Sequence, residues 1–208
     1  MSASGKTRAI VTLVVATGGF ALALALRERI DPWRATALAA AVAIALSVWT
    51  LGPRLRELCA ITPRGALGAI AVGVALVAAT HVAFRIVLVA SPDLAITIRD
   101  LYASIEVGAP RLTLVGLTTV VVIGEELVWR GVAIEVLAGR RPPLHVAAIS
   151  VALYVLPQLA GAAPLLIVAA FGLGSLFAAQ RLITGRLADP LLTHAIWSIA
   201  VFVVLPLA

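Results

Sequence analysis

The sequence predicts an all-α, polytopic transmembrane helix bundle of about seven spans with a short interfacial helix, and three observations carry that prediction. Of 208 residues, 62% are hydrophobic and only 12% charged, with a mean hydropathy of +1.11, well outside the range of a water-soluble domain. The apolar residues gather into runs that approach the roughly 20 residues a bilayer core requires. Short connections carrying helix breakers separate those runs, so residues 1–208 read as a single membrane domain.

The first run, 9–26, follows Lys6 and Arg8. Basic residues ahead of an apolar stretch also open a secretory signal, but this stretch exceeds the usual core of about 7 to 15 residues, and an uncleaved first helix is expected. Further runs follow near 35–52, 65–90, 112–138, 144–160, 162–183 and 188–207, the fifth and sixth being the hardest to separate. Gly52-Pro53, Pro63, Pro92, Pro110, Pro142-Pro143 and Gly161 with Pro164 mark the breaks. Between the third and fourth runs, Ser91-Pro92-Asp93 opens a segment in which Leu94, Ile98, Leu101, Tyr102 and Ile105 recur at helical spacing beside Arg99, Asp100 and Glu106. That pattern predicts an amphipathic helix lying at the membrane interface.

The formal charge is +6, yet the 16 basic residues are dispersed among short connections with no aromatic-interleaved patch. Nucleic acid is therefore excluded as a partner, and membrane lipid is expected instead. Lys6, Arg8, Arg54, Arg56, Arg64, Arg140, Arg141, Arg181 and Arg186 fall on one side of the alternating spans; Arg27, Arg29, Arg34, Arg99 and Arg111 fall on the other. Because cytoplasmic loops accumulate basic residues, this asymmetry predicts a multi-pass cell-membrane protein with its N-terminus cytoplasmic and its C-terminus outside. Cys59 is the only cysteine, so no intrachain disulfide and no cysteine zinc site can be built.

The chemistry concentrates in the fourth run, where Glu125, Glu126 and Arg130 interrupt an apolar helix. Each charge there costs about 2.5 to 3.5 kcal/mol to insert, which makes pairing or a wet cavity necessary. Glu126 and Arg130 stand four apart and can form a structural ion pair on one face. Glu125 points about 100° away, lacks that cation, and is the candidate general base. In the last run His194 and Ser198 share a face, and in the fifth Tyr154 and Gln158 do so around Pro157. His81 and Arg85 share a face in the third run, where packing or the lipid interface accounts for them. Glu135 and Asp189 lie near helix ends, where solvation accounts for them.

These residues, Glu125-Glu126-Leu127-Val128-Trp129-Arg130, then Tyr154 to Gln158, then His194 to Ser198, resemble the motifs EExxxR, FxxxH and HxxxN or HxxxD. Those motifs mark the CPBP family of intramembrane proteases, which includes the type II CAAX prenyl endopeptidases and the bacterial Abi proteins. The resemblance covers residues 110–208. It implies an intramembrane endopeptidase in which Glu125 activates water against a peptide bond, with His194, Gln158 and Ser198 completing the catalytic set and a membrane peptide or protein as substrate. Two positions depart from the pattern: Gln158 stands where the family has His, and Ser198 where it has Asn or Asp. Gln158 can orient but cannot shuttle a proton near neutral pH. With only Glu125 and His194 as convincing ligands, no metal and no other cofactor is expected, although the family has been described as metal-dependent. Two alternatives accompany this reading: a catalytically degenerate member that binds a membrane peptide or acts as an immunity factor, and a proton-coupled carrier.

Overall fold

The computed structural model describes residues 3–105, 109–138 and 141–207, and these residues form helices and no strands. Glu106 and Arg140 lie outside the described residues, as do the side chains of Leu101 and Ile105. Helix α1 spans Ala3–Ala25, α2 Pro32–Leu51, α3 Arg54–Leu58, α4 Pro63–Ala90 and α5 Pro92–Ile105. Helix α6, Arg111–Glu126, continues through a π-helical segment, Leu127–Ala133, into α7, Ile134–Leu137. Helix α8, Pro143–Val155, runs into a 3₁₀ segment, Leu156–Gly161; α9 spans Pro164–Thr184, and α10, Ala188–Ile199, ends in a π segment, Ala200–Val204.

Six of these stretches are long and apolar enough to cross a membrane, and Ala188–Val204 is a shorter apolar helix. The chain is therefore a multi-pass helical membrane protein. Local chemistry sets the helix ends. The Asp31 carboxylate accepts from the backbone N–H of Trp33 at 3.0 Å and of Arg34 at 3.1 Å, capping α2 ahead of Pro32 in its first turn. Thr62 does the same for α4 through Gly65 at 3.1 Å. Gly52 and Gly185 close α2 and α9 with φ of 53° and 70°, a conformation that glycine adopts without penalty. The fifth and sixth runs separate at Ala162, which takes φ 49° between the 3₁₀ segment and Pro164. Helix α5 buries Ile98 and Tyr102 of the expected apolar stripe and exposes Arg99 and Asp100, as an amphipathic helix does, while Leu94 at its start is 38% exposed; Tyr102 donates to the Val201 carbonyl at 3.1 Å. Burial raises the pKa of the Tyr102 phenol, so it stays a neutral donor.

Helix α6 is the central element, packed on α2 and α10, with α1, α8 and α9 against its π segment. Its contact with α2 depends on Gly124: a Cβ there would sit 2.7 Å from the Ala40 Cβ and 2.9 Å from the Ala40 carbonyl oxygen. This is the small-residue approach by which membrane helices pack closely. Around it Ala16, Phe20, Ala43, Val128 and Trp129 form a buried cluster. Helix α4 packs mainly on α10 and α5 and turns most of its surface outward.

At the end of the bundle where α2 finishes and α4 starts, Glu135 accepts from Arg181 at 2.6 Å and from Arg54 at 3.2 Å, while Arg54 also pairs with Glu57. Asp189, 3% exposed, binds Arg186 at 2.8 Å. Glu135 and Asp189 are thus held by arginines, which corrects their reading as solvated helix ends; the partners come from other helices or an adjacent turn. Cys59 sits half-buried beside this network, and burial raises its thiol pKa against the pull of Arg181, leaving it a poor nucleophile. His81 bonds the carbonyls of Val77 at 2.9 Å and Leu205 at 3.0 Å, tying α4 to the C-terminus.

Candidate active site

The last α-helical turn of α6 presents two adjacent carboxylates in different directions. Glu126 is fully buried with Arg130, whose Nη1 lies 3.1 Å from its Oε1. The guanidinium is held from three sides. Its Nη2 donates to the Gly174 carbonyl at 3.2 Å, and its carbon lies 4.3 Å from the Tyr154 ring centroid and 5.4 Å from that of Phe177. Cation–π contact of this kind suits an arginine that has been desolvated. Gly174 makes the approach possible, since a Cβ there would lie 2.8 Å from Tyr154 Cδ1. The ion pair is a charge contact more than a directed hydrogen bond: Arg130 Nη1 and Nε and Glu126 Oε2 have no hydrogen-bond partner among the described residues.

Glu126 has a second partner. His194, on α10, lies with Nδ1 2.9 Å from Glu126 Oε1 and its ring stacked on Phe177 at 4.5 Å. A carboxylate beside Arg130 is an acceptor, so the hydrogen-bond network assigns the Nδ1 proton to this contact and directs Nε2 away from it. Nε2 lies 3.8 Å from Glu125 Oε2, and the Tyr154 hydroxyl donates to the same oxygen at 3.4 Å. Glu125 therefore lacks the Arg130 ion pair, which goes to Glu126, and has two other polar neighbours. Glu126 thus contacts His194 of α10 as well as Arg130 of its own span.

Glu125, Gln158, His194 and Ser198 line one cavity of about 200 Å³, together with Tyr154 and Thr118. Apart from Thr36 of α2 its remaining walls are largely apolar, and it extends to Leu24, Pro32 and Trp33, where α1 ends and α2 begins. Glu126 and Arg130 are sealed behind it. Several side chains were not singled out by sequence. Phe177 positions the imidazole through a crossing of α9 and α10 that no local pattern predicts. Tyr154 was visible only as the first residue of a short motif, and its hydroxyl faces Glu125 because the π segment and α8 pack together through Ser150, which donates to the Trp129 carbonyl at 2.8 Å.

Arg130 and His194 Nδ1 both meet Glu126 Oε1, and Glu126 does not line the cavity, so Glu125 and His194 Nε2 are the two groups that face it, where a catalytic zinc takes about three protein ligands. Among the described residues no group of three His, Cys, Asp or Glu is placed to hold a metal.

Compared with known protein families, residues 108–200 match the family described as Type II CAAX prenyl endopeptidase Rce1-like. No curated protein and no solved structure matches the chain.

Proposed function

Starting from a multi-pass membrane protein whose residues 108–200 are Rce1-like, of the CPBP group, we propose that it is a glutamate-dependent intramembrane endopeptidase. The observation that carries this reading is the position of Glu125. Among the described residues it is the one carboxylate that lines the cavity, and it stands within 4 Å of an imidazole nitrogen whose other nitrogen is already bound.

In this reading Glu125 takes a proton from a water held between it and His194 Nε2, and the resulting hydroxide adds to the substrate carbonyl carbon. The oxyanion accepts a hydrogen bond from the Ser198 hydroxyl, while His194 Nε2, unprotonated in the tautomer that Glu126 fixes, accepts one from the attacking water. Gln158 orients the carbonyl or the water through its amide. Collapse of the tetrahedral intermediate breaks the C–N bond, and the proton held on Glu125 passes to the departing amine. Glu126 keeps His194 in the productive tautomer, as a buried carboxylate does for a catalytic histidine elsewhere. No step requires a metal or other cofactor. Lipid surrounds the bundle, and the substrate is a peptide segment of a membrane-associated protein.

A second reading, a family member that holds such a segment without cutting it, is favoured by Gln158, which brings an amide into the cavity where the resemblance calls for an imidazole. Purified protein incubated with a library of membrane peptides separates the two. Wild type should release fragments, and Glu125→Ala should reduce the rate by about 10²- to 10⁴-fold, the usual worth of a positioned base. Equal cleavage by both proteins, or none by either, would remove the endopeptidase reading.

We further propose that the N-terminus is cytoplasmic and that the cavity reaches toward the opposite face. The support is the basic end of the bundle at Arg54, Arg56, Arg64 and Arg186, set against a cavity that extends to Leu24 and Pro32 at the other end. In intact cells a membrane-impermeant maleimide should label a cysteine placed at Arg29 and spare one placed at Arg56. Labelling in the reverse order would invert the topology.

A further inference from the structure

Thr118 is 3% exposed, lines the same cavity as Glu125, and its hydroxyl has no hydrogen-bond partner among the described residues. Buried hydroxyls are rarely left this way, because desolvation without a replacement bond is unfavourable. The usual recourse inside a helix is a bond back to the preceding turn. Thr119 takes it, donating to the Val115 carbonyl at 2.7 Å; Thr118 does not. The Ser47 hydroxyl also has no partner among the described residues, but it does not line this cavity.

Thr118 and Glu125 are seven residues apart in regular α-helix. That spacing is two turns, about 20° out of phase and about 10 Å along the axis, so both face the cavity from one stripe of α6. The wall between them is Val121 and Val122, and Leu166 and Leu173 of α9 line the same cavity. An extended peptide rises about 3.3 Å per residue, so roughly three residues bridge the two polar positions.

We propose that Thr118 is a substrate-binding position: its hydroxyl bonds a main-chain amide of the bound segment about three residues from the bond that Glu125 addresses. The apolar wall between the two then takes apolar side chains at the intervening positions, so the site selects an extended, uncharged stretch. Only the register relative to the cut bond rests on the endopeptidase reading; binding of the segment does not.

The test measures binding of a fluorescent leucine–alanine peptide to protein in nanodiscs, in a Glu125→Gln background that suppresses turnover. Thr118→Val keeps the shape and removes the hydroxyl; Thr118→Ser keeps the hydroxyl. Loss of one hydrogen bond to the peptide predicts about fivefold to tenfold weaker binding for Thr118→Val, with Thr118→Ser within about twofold of the parent. The unfolding temperature of Thr118→Val should not fall, because its hydroxyl has no partner in the free protein. Equal affinity of the Val and Ser variants, or no binding by any variant, overturns the assignment. Cleavage by protein with Glu125 intact is scored separately. Weakened binding in Thr118→Val without any cleavage keeps the subsite and discards the endopeptidase reading; cleavage with unweakened binding does the opposite.

Discussion

Helix α4 and the span formed by α6 and α7 are nearly the same length and nearly equally apolar: 28 residues at hydropathy 2.1 against 27 at 1.7. Their positions are opposite. Only 6% of the most apolar window of α4 is buried inside the bundle, against 39% for the α6 span. Hydropathy therefore identifies a span without locating it, because lipid is as apolar as the side chains that face it. What distinguishes the central span is its cost: two carboxylates and a guanidinium can be accommodated only where other helices surround them. Val89 on α4 is 85% exposed, while Glu126 at the end of α6 and Arg130 in the π segment are fully buried.

The contrast can be attacked most directly at Arg130. Replacing it with alanine leaves Glu126 buried with His194 alone, and loss of one partner of a buried pair costs about 3 to 5 kcal/mol. Unfolding of Arg130→Ala in detergent should show a loss of that size, or the protein should fail to accumulate; an unchanged midpoint would mean that the central span is not held by its charges. A smaller effect is expected at Gly124. Alanine there drives a methyl into the Ala40 backbone of α2, and overpacking of this kind costs about 1 to 3 kcal/mol, read in the same assay. The smallest change belongs to Gly68 on α4, where a Cβ would meet nothing within 4 Å. Gly68→Ala should stabilise by about 0.5 to 1 kcal/mol through helix propensity alone. If Gly68→Ala were as damaging as Gly124→Ala, α4 would have a packed face that the structure does not give it.

The spans were legible because their signal is local. Apolar runs with Pro and Gly between them place α2, α4, the span from α6 through α7, α8 with its 3₁₀ segment, and α9 within a few residues; α1 starts at Ala3, ahead of the run from 9, and the short α3 was missed because five residues carry no periodicity. The last helix ends at Val204 where an apolar run to 207 was expected, since Leu205 turns out of the helix. At the site, spacing within one helix was informative: Glu126 and Arg130 meet as four-apart residues do. Spacing between helices was silent. Which carboxylate the imidazole binds follows from how α10 crosses α6, and His194 sits closer to Glu126, at 2.9 Å, than to Glu125, at 3.8 Å. The orphan hydroxyl of Thr118 was invisible for the same reason, as sequence alone does not distinguish it from Thr119 beside it.

The π-helical segment Leu127–Ala133 begins one residue after Glu126 and contains Arg130. A π turn amounts to one residue inserted into an α-helix, retained because what it re-aims is worth the poorer backbone geometry. The central span thus behaves as two rods joined by a one-residue clutch. The N-terminal rod, carrying Thr118 and Glu125, keeps its phase toward the cavity, and the C-terminal rod, ending at Glu135, keeps its phase toward Arg54 and Arg181. Deleting one residue within the π segment would let it close to plain α-helix with both rods still aimed as they are, whereas a one-residue deletion inside α6 between Thr118 and Glu125 would turn one of these against the other by about 100°.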